Sequence, residues 1–324
     1  MDASNLPAEI HVLPSKAALQ HARSKLLDTL PEEGLGPTPI QKHIANDLVP
    51  AFSRANKSPH YYGFVTGGAT SAAIIADHIV VDVDQNLHNH LPNDTVATDV
   101  EDAALKLLCQ LLQLNADQWP HRIFSTGATA SNVLGLACGR EFAVQRAVAN
   151  THGAGNGTDG EIGLSVGEYG IYEAMRMAGL EEIQILTTVP HSSLRKAASI
   201  VGLGRASMKD IGRKDLPHKF DFEALERALA KPRTASIVAV SCGEVNTGLF
   251  ATTGEEMKQL RGLCDRYGAW LHVDAAFGLL ARVLPKTKEF ETILQGVEGL
   301  QLADSITGDA HKLLNVVSPI NLPC

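Results

Sequence analysis

The chain has 324 residues and a formal net charge of −8, with 44% hydrophobic and 20% charged residues. These values are typical of a globular protein, and the lack of clustered lysines and arginines argues against nucleic acid as a partner. No stretch approaches the ~18 consecutive apolar residues of a membrane span, and the N-terminus lacks a secretory signal. The five cysteines are widely spaced, so we expect free thiols and a cytoplasmic location.

The first 98 residues are predicted to form an N-terminal arm and helical segment, because prolines interrupt the first sixty residues. Short helices are predicted over 15–30 and 40–55. From residue 99 onward, strands and helices are predicted to alternate. In chain order these are a helix over 99–114, a strand near 122–125 and a long helix after it, a helix up to Gly179, a strand over 182–189, helices over 192–204 and 220–231, a strand over 234–242, a helix over 252–268, and strands within 269–278 and 303–312.

This alternation predicts an α/β fold with a mostly parallel sheet over 99–324. Ligands of such sheets gather at the loops that leave the carboxyl ends of the strands. Four loops of this kind carry informative residues. A fifth, the glycine-rich stretch 150–163, follows no phosphate-loop pattern and is predicted to be a plain connection.

The first two loops precede predicted helices. The loop "STGATASN" (125–132) would expose main-chain N–H groups at a helix start, which suits a phosphate, although a small-residue turn that packs a helix on a strand gives the same pattern. In "VPHSSLRKAA" (189–198), His191 stands where a strand passes into a helix. A histidine there can stack on a flat cofactor or transfer protons, or it can simply cap the helix.

The other two loops carry charged groups. In "WLHVDAAFG" (270–278), Asp274 ends an apolar strand, and a carboxylate there needs a cationic partner or main-chain N–H donors. A protonated ring nitrogen would be such a partner, with the small residues after Asp274 leaving room for a flat ring. In "GDAHK" (308–312), Lys312 beside His311 can form a Schiff base if its amine is partly desolvated, whereas most lysines are solvated surface charges.

The four loops together contain the groups that hold pyridoxal 5'-phosphate (PLP). These are a phosphate cradle, a stacking histidine, a carboxylate for the ring nitrogen and an imine-forming lysine. They occur in that order on consecutive α/β units. No H-E-x-x-H or similar spacing points to a metal site.

With these residues in view, the chain resembles the PLP-dependent group II amino acid decarboxylases, which include glutamate, aromatic amino acid and tyrosine decarboxylases. The resemblance rests on "TGATASN", "PHSSLRKAA", "HVDAAFG" and "DSITGDAHK" and spans roughly residues 60–316. It implies the type I PLP-dependent transferase fold, with a large domain of mixed, mostly parallel sheet flanked by helices. It also implies a homodimer in the full-length form, with the active site at the subunit interface.

Carried over to this sequence, the resemblance implies a set of roles. Lys312 would hold PLP covalently, and Asp274 would pair with the pyridine nitrogen. His191 would stack on one face of the ring. The residues expected around the rest of the cofactor are Ala276 on the other face, Ala128 and Thr129 with N–H groups for the phosphate, His311 close to it, and Asn246 or Thr247 near the cofactor or the substrate carboxylate.

The resemblance implies decarboxylation of an L-amino acid to an amine and CO₂. Glutamate, aspartate, tyrosine and diaminobutyrate all remain open as substrates. Another type I PLP enzyme, such as a carbon–carbon lyase or a cysteine desulfurase, is the nearest alternative, because the same loops support other chemistry at the α-carbon.

The sequence also departs from the family pattern around and after the lysine. Gly308 and Ala310 stand where many members have tryptophan and proline. The family continues well past the lysine, so we expect a large domain truncated after Lys312, with a divergent tail over 317–324. A chain of that kind is expected to be poorly active, or to act as a non-catalytic partner of a full-length protomer.

Overall fold

The computed structural model of the chain describes residues 12–58, 60–63, 66–84, 89–152 and 164–316. The chain divides into two compact units, Met1–Ala69 and Thr70–Cys324. The predicted boundary at residue 98 differs from this division, because the helix that begins at Ser71 belongs to the second unit. The main-chain N–H of Thr70, just before that helix, donates to the carbonyl of Asn315 at 2.8 Å.

The first unit is small and helical. It contains α1 (Lys16–Ser24) and α2 (Pro37–His43), followed by one wide turn over Ile44–Leu48. Ser15 caps α1 by accepting a hydrogen bond from the N–H of Ala18. Both helices are shorter than the sequence predicts, and prolines at 37 and 39 set the start of α2.

The second unit has nine helices and five strands among the residues that the structure describes. The helices are α3 (Ser71–Val83), α4 (Ala97–Leu111), α5 (Ala128–His152), α6 (Val166–Met177), α7 (Ser192–Ile200), α8 (Phe222–Leu229), α9 (Gly254–Tyr267), α10 (Glu291–Gly296) and α11 (Ala310–Leu313). The strands are β1 (Glu182–Thr187), β2 (Met208–Asp210), β3 (Thr234–Ser241), β4 (Trp270–Asp274) and β5 (Ser305–Thr307).

The five strands form one parallel sheet in the order β2-β1-β3-β4-β5. Its register aligns the carboxyl ends of three strands, because Ser241 lies opposite Asp274, and Asp274 lies opposite Thr307. Consecutive side chains of each strand point to opposite faces, and both faces are buried. The strands are therefore largely apolar where helices cover them, with a few buried polar residues such as Gln184, Ser236 and His272.

Helices cover the two faces of the sheet. On one face, Leu186, Val238 and Leu271 pack in a core with residues of α8 and α9. On the other, Ile185 and Ile237 pack against α5 and α7. This α/β arrangement, with a parallel sheet flanked by helices, confirms the fold class expected from the sequence.

Most predicted elements of residues 164–316 are present, and their caps match the sequence signals. Thr253 and Glu256 form a capping box at the start of α9, and Gly268 ends that helix in the left-handed conformation (φ +67°). The predicted strand near 122–125 is wrong for residues 122–124, which pair with no strand. This segment is instead fixed by the Arg122 side chain, which donates a hydrogen bond to the carbonyl of Ala116 at 2.8 Å.

Three further findings bear on the sequence predictions. Strand β2 has only three residues and was not predicted. Most of the glycine-rich connection 150–163, and the tail 317–324, lie outside the described residues. Within the described part of the chain, no helix is both long and apolar enough to cross a membrane.

Candidate active site

A cavity of about 740 Å³ opens at the carboxyl edge of the sheet. The loop before α5 and the first residues of α5 form one side of it. The segments that follow β1, β3 and β4 form the rest, and Lys312 enters from α11. The parallel topology therefore brings together segments that are far apart in the sequence, as expected for a ligand site in this fold class.

Lys312 is largely enclosed, with 15% of its side chain exposed. Its Nζ lies 3.3 Å from the centre of the Phe277 ring and 3.9 Å from Oδ2 of Asp309. Burial lowers the pKa of Lys312, although the negative charges of Asp309 and Asp274 oppose that shift. A lysine in this setting carries a larger neutral fraction than a solvated one, and the neutral amine is the nucleophilic form.

Asp309 fixes the short helix that carries Lys312. Its side chain caps α11 by accepting a hydrogen bond from the N–H of His311 at 3.0 Å. Burial raises the pKa of Asp309, and the neighbouring Lys312 charge acts in the opposite direction. The carboxylate thus has two functions, as a helix cap and as the ion-pair partner of the lysine.

Asp274 projects from the end of β4 into the same cavity. Its Oδ2 accepts a hydrogen bond from the side-chain amide of Asn132 at 2.9 Å, and its Oδ1 accepts one from the N–H of Ala276 at 3.3 Å. Both donors are neutral, so the carboxylate keeps its negative charge available to a cationic group in the cavity. Ala276 lines the cavity beside it.

His191 lies across the cavity at the start of α7. Its Nδ1 accepts a hydrogen bond from the N–H of Ser193 at 3.2 Å, and the Ser193 hydroxyl lies 2.8 Å away from the same atom. The ring therefore caps its helix and also lines the cavity. The helix cap that the sequence offered as one alternative is therefore present, and stacking on a flat cofactor stays a prediction.

The N-terminus of α5 faces the cavity through Ala128 and Thr129. The first N–H groups of a helix have no partner within the helix, and the helix dipole places partial positive charge there. With 25 residues, α5 is long. Free N–H groups at a helix start suit an anionic group, so the phosphate cradle expected for 125–132 stays a prediction at this position.

Three predicted residues do not contribute to the cavity wall as the structure describes it. Nδ1 of His311 is 3.0 Å from the carbonyl oxygen of Val316, and the ring is not part of the wall. Asn246 and Thr247 are exposed, and their main-chain and side-chain groups donate to the carboxylate of Glu244 at 2.6–3.0 Å. Glu244 is the charged residue of this loop that lines the cavity, next to Gly243 and Val245.

Sequence reasoning missed four residues of the site: Glu244, Phe277, Asn132 and His272. The last two are fully buried, and Asn132 Oδ1 lies 2.9 Å from Nε2 of His272. A signal for His272 existed, because it stands two positions before Asp274 on a strand and therefore faces the same side of the sheet. To identify Asn132 as a residue of the site, one must know the register of α5 against β4, and the sequence does not give that register.

Comparison with known families gives a match over part of the chain. Residues 173–321 match the pyridoxal-dependent decarboxylase conserved domain. A glutamate decarboxylase-like protein from Gibberella zeae is 25% identical over 298 residues, which are 90% of this chain and 49% of that protein. The L-2,4-diaminobutyrate decarboxylase of Acinetobacter baumannii is 28% identical over 195 residues, which are 59% of this chain and 34% of that protein.

Comparison with solved structures gives the same fold. The crystal structure of TDC from Oryza sativa with PLP and tryptamine superimposes with a TM-score of 0.69 at 22% identity, covering 96% of this chain and 61% of that one. Both comparisons leave a large part of each relative unmatched. The chain spans about half the length, or less, of these curated relatives.

Proposed function

Since this chain belongs to the family of group II PLP-dependent amino acid decarboxylases, we propose that it decarboxylates an L-amino acid to an amine and CO₂. One observation carries the proposal. A partly desolvated lysine, an aspartate with only neutral hydrogen-bond donors and the N-terminus of a long helix surround one cavity. That combination matches the three reactive parts of PLP, which are its aldehyde, its ring nitrogen and its phosphate.

The residues present fit this cofactor. The cavity, of about 740 Å³, lies within the usual ~300–1,000 Å³ of small-molecule sites. The groups proposed to bind the phosphate belong to the first turn of α5. The amine of Lys312 comes from a different helix, α11. Asp274 lines the same cavity from the end of β4 and accepts hydrogen bonds from Asn132 and Ala276. The donor set therefore suits an anionic phosphate, a cationic ring nitrogen and an electrophilic carbon at once.

Each residue has a proposed role. Lys312 attaches the cofactor covalently through its amine. Ala128 and Thr129 bind the phosphate with main-chain N–H groups, while His191 and Ala276 enclose the ring from its two faces. Asp274 keeps the ring nitrogen protonated, so that the bound cofactor can accept the electron pair left when CO₂ departs.

The substrate class follows from the family and stays at the level of an L-α-amino acid. The named relatives act on chemically different amino acids, and at 25–28% identity they do not define the side chain. Glu244 places a carboxylate in the cavity wall. Hydrogen bonds from Asn246 and Thr247 outweigh the effect of burial and lower its pKa, so the group is anionic at neutral pH.

We also propose that the active form is a homodimer. Helix α3 buries none of its residues, although it is strongly apolar, and Val81 is 72% exposed and Ile75 60% exposed. Exposed apolar patches of this kind mark protein contacts. Sedimentation analysis should give twice the chain mass, and a monomer that binds PLP with full affinity would contradict this part of the proposal.

The decisive assay measures CO₂ release from carboxyl-labelled amino acids. A panel containing glutamate, aspartate, tyrosine and diaminobutyrate should give labelled CO₂ and the matching amine from at least one member. Lys312→Ala should abolish release, while Lys196→Ala, a change at an exposed lysine of α7, should leave it unchanged. Formation of an aldehyde from added threonine, or of sulfide from added cysteine, without CO₂ would replace this proposal with a carbon–carbon lyase or a cysteine desulfurase.

A further inference from the structure

A buried polar network connects β4 to the cavity wall, and we call it the His272 network. It consists of Trp270, Ser305, His272, Asn132 and Asp274, and of these five only Asp274 is among the residues that line the cavity. Asn132 and His272 are 0% exposed, although apolar packing dominates the surrounding sheet. Polar groups buried in this way are costly unless every donor and acceptor is paired.

The directions of the hydrogen bonds in the network follow from its carboxylate end, because an ionised Asp274 can only accept. The Trp270 indole can only donate, so Ser305 Oγ accepts from Nε1 at 2.9 Å. Since the Asn132 amide donates to Asp274, its Oδ1 faces Nε2 of His272, which carries the ring hydrogen, and Nδ1 accepts from the Ser305 hydroxyl at 2.8 Å. Nε2 donates to Oδ1 of Asn132 at 2.9 Å. The Asn132 amide hydrogens point toward the Asp274 carboxylate, 2.9 Å away.

The opposite direction is excluded by the carboxylate. If Nδ1 of His272 carried the hydrogen, Nε2 would have to accept from Asn132, and the Asn132 oxygen would then face the oxygen of Asp274. Two oxygen acceptors at that distance repel each other. Burial lowers the pKa of His272 to about 4, so the ring is neutral and has a single hydrogen to place.

Asn132 also reaches the second cofactor-facing side chain. Its amide nitrogen is 3.2 Å from Oγ of Ser193, and that hydroxyl is 2.8 Å from Nδ1 of His191. The Ser193 hydroxyl therefore accepts from Asn132 and lies within hydrogen-bond distance of His191. One buried amide thus contacts Asp274 directly and orients His191 through a single serine.

Helix α5 has a glycine, Gly135, where it packs against the imidazole ring of His272. A Cβ at Gly135 would lie 2.5 Å from Cε1 of His272 and 2.6 Å from Nδ1. Any larger residue would push the ring away from Asn132. The backbone of α5 and the side chains of β4 therefore fit together at the point where the network crosses between them.

We propose that Asn132, His272 and Ser305 are positioning residues that set the orientation of Asp274 and His191 toward the cofactor. The inference rests on the proposed PLP site, but it concerns side chains that never touch the cofactor. It assigns His272 one tautomer, protonated on Nε2, and it makes Asn132 the link between the residue at the ring nitrogen and the residue on the ring face.

The first test uses the wild-type chain without cofactor. Nitrogen-15 NMR of histidine-labelled protein, with His272 assigned from its loss in His272→Gln, should show a neutral ring protonated on Nε2 at neutral pH. A ring protonated on Nδ1, or an equal mixture of tautomers, would overturn the inference whether or not PLP binds.

The second test uses Ser305→Ala, with Ser236→Ala as the matched control. Ser236 is also a buried serine on a strand of the same sheet, but its hydroxyl is bonded to Gln184. Ser305→Ala should mix the His272 tautomers, shift the carbon-13 resonance of the Asp274 carboxylate, and weaken PLP binding about fivefold, the effect of one neutral hydrogen bond. Ser236→Ala should leave all three signals as in wild type.

The outcomes separate this inference from the proposed function. If wild type binds no PLP, the proposed function fails, and the tautomer and the Asp274 resonance still decide whether the network exists. If Ser305→Ala and Ser236→Ala give the same tautomer, the same carboxylate resonance and the same PLP affinity, the residues have no positioning role. Gly135→Ala provides an independent variant, with the same expected changes as Ser305→Ala, should the latter fold poorly.

Discussion

Lys312 shows how burial and charge compete at a single reactive group. Desolvation lowers the pKa of its amine, and Asp309, whose nearest carboxylate oxygen is 3.9 Å away, raises it. The sequence predicted this lysine from its place after a strand and beside a histidine. It did not predict the aromatic ring of Phe277 beneath the amine, because contacts across a cavity depend on backbone positions.

We expect Asp309→Asn to lower the pKa of Lys312 further, since the nearest negative charge is removed while asparagine still caps α11. The midpoint of pH-dependent PLP attachment should move to lower pH. It can be measured by borohydride trapping over a series of pH values. Asp265→Asn, at an exposed ion pair with Arg261, is the control and should not move the midpoint. An alkaline shift in Asp309→Asn would contradict the ion-pair interpretation.

Glu244 is a residue of the cavity wall that the sequence analysis did not identify. Asn246 and Thr247 were the predicted polar residues of that loop, yet they are exposed and serve as donors to Glu244. A local chain reversal brings all three together, and residue types alone do not reveal which one faces inward.

Glu244→Gln should destabilise the chain by about 2 kcal/mol at neutral pH, because charge-assisted hydrogen bonds are replaced by weaker ones. The folded-state pKa of Glu244 is lowered, so its contribution is present above the unfolded pKa and is lost as pH falls through the folded one. The difference between wild type and variant in urea unfolding should therefore shrink below about pH 4. A difference that stays constant down to that pH would show that the carboxylate charge is not involved.

Helix α5 and strand β4 illustrate what can be predicted for whole elements. Both were identified from hydrophobic patterning and from the glycine turn before the helix. Their mutual register was not, and it decides which α5 residues face Asp274 and His272. The sequence analysis also missed strand β2, because a strand of three residues is too short to show any periodicity.

The close contact between these two elements can be tested with glycine substitutions. A Cβ at Gly139 of α5 would lie 2.8 Å from Cδ1 of Trp270, whereas Gly262 of α9 has open space around its Cβ position. Gly139→Ala should destabilise the chain by about 1–3 kcal/mol through overpacking. Gly262→Ala should stabilise it by about 0.5–1 kcal/mol, because alanine is the better helix former.

Thermal or denaturant unfolding of the two variants provides the measurement. The changes in unfolding free energy should have opposite signs, although both substitutions add one methyl group to a helix. Equal stabilisation by both variants would mean that α5 can move away from β4 at little cost, and the tight register inferred for the site would then be wrong.

The second unit must fold before the site exists, because the cavity is assembled from segments between residue 123 and residue 312. A ligand that binds only the folded form stabilises it by an amount that depends on its concentration. PLP at about a hundredfold excess over its dissociation constant should therefore add about 2.7 kcal/mol to wild type. PLP should stabilise the Lys312→Ala variant much less than wild type. Equal stabilisation of both would mean that the cofactor binds at a site other than Lys312.

Attachment of PLP to Lys312 is the central claim, and borohydride trapping tests it most directly. Purified chain is incubated with PLP, reduced with borohydride, digested and analysed by mass spectrometry. We predict a pyridoxyl-phosphate modification on the peptide that contains Lys312, absent from Lys312→Ala and unchanged in Lys196→Ala. Modification spread over exposed lysines, with none preferred at Lys312, would contradict the account.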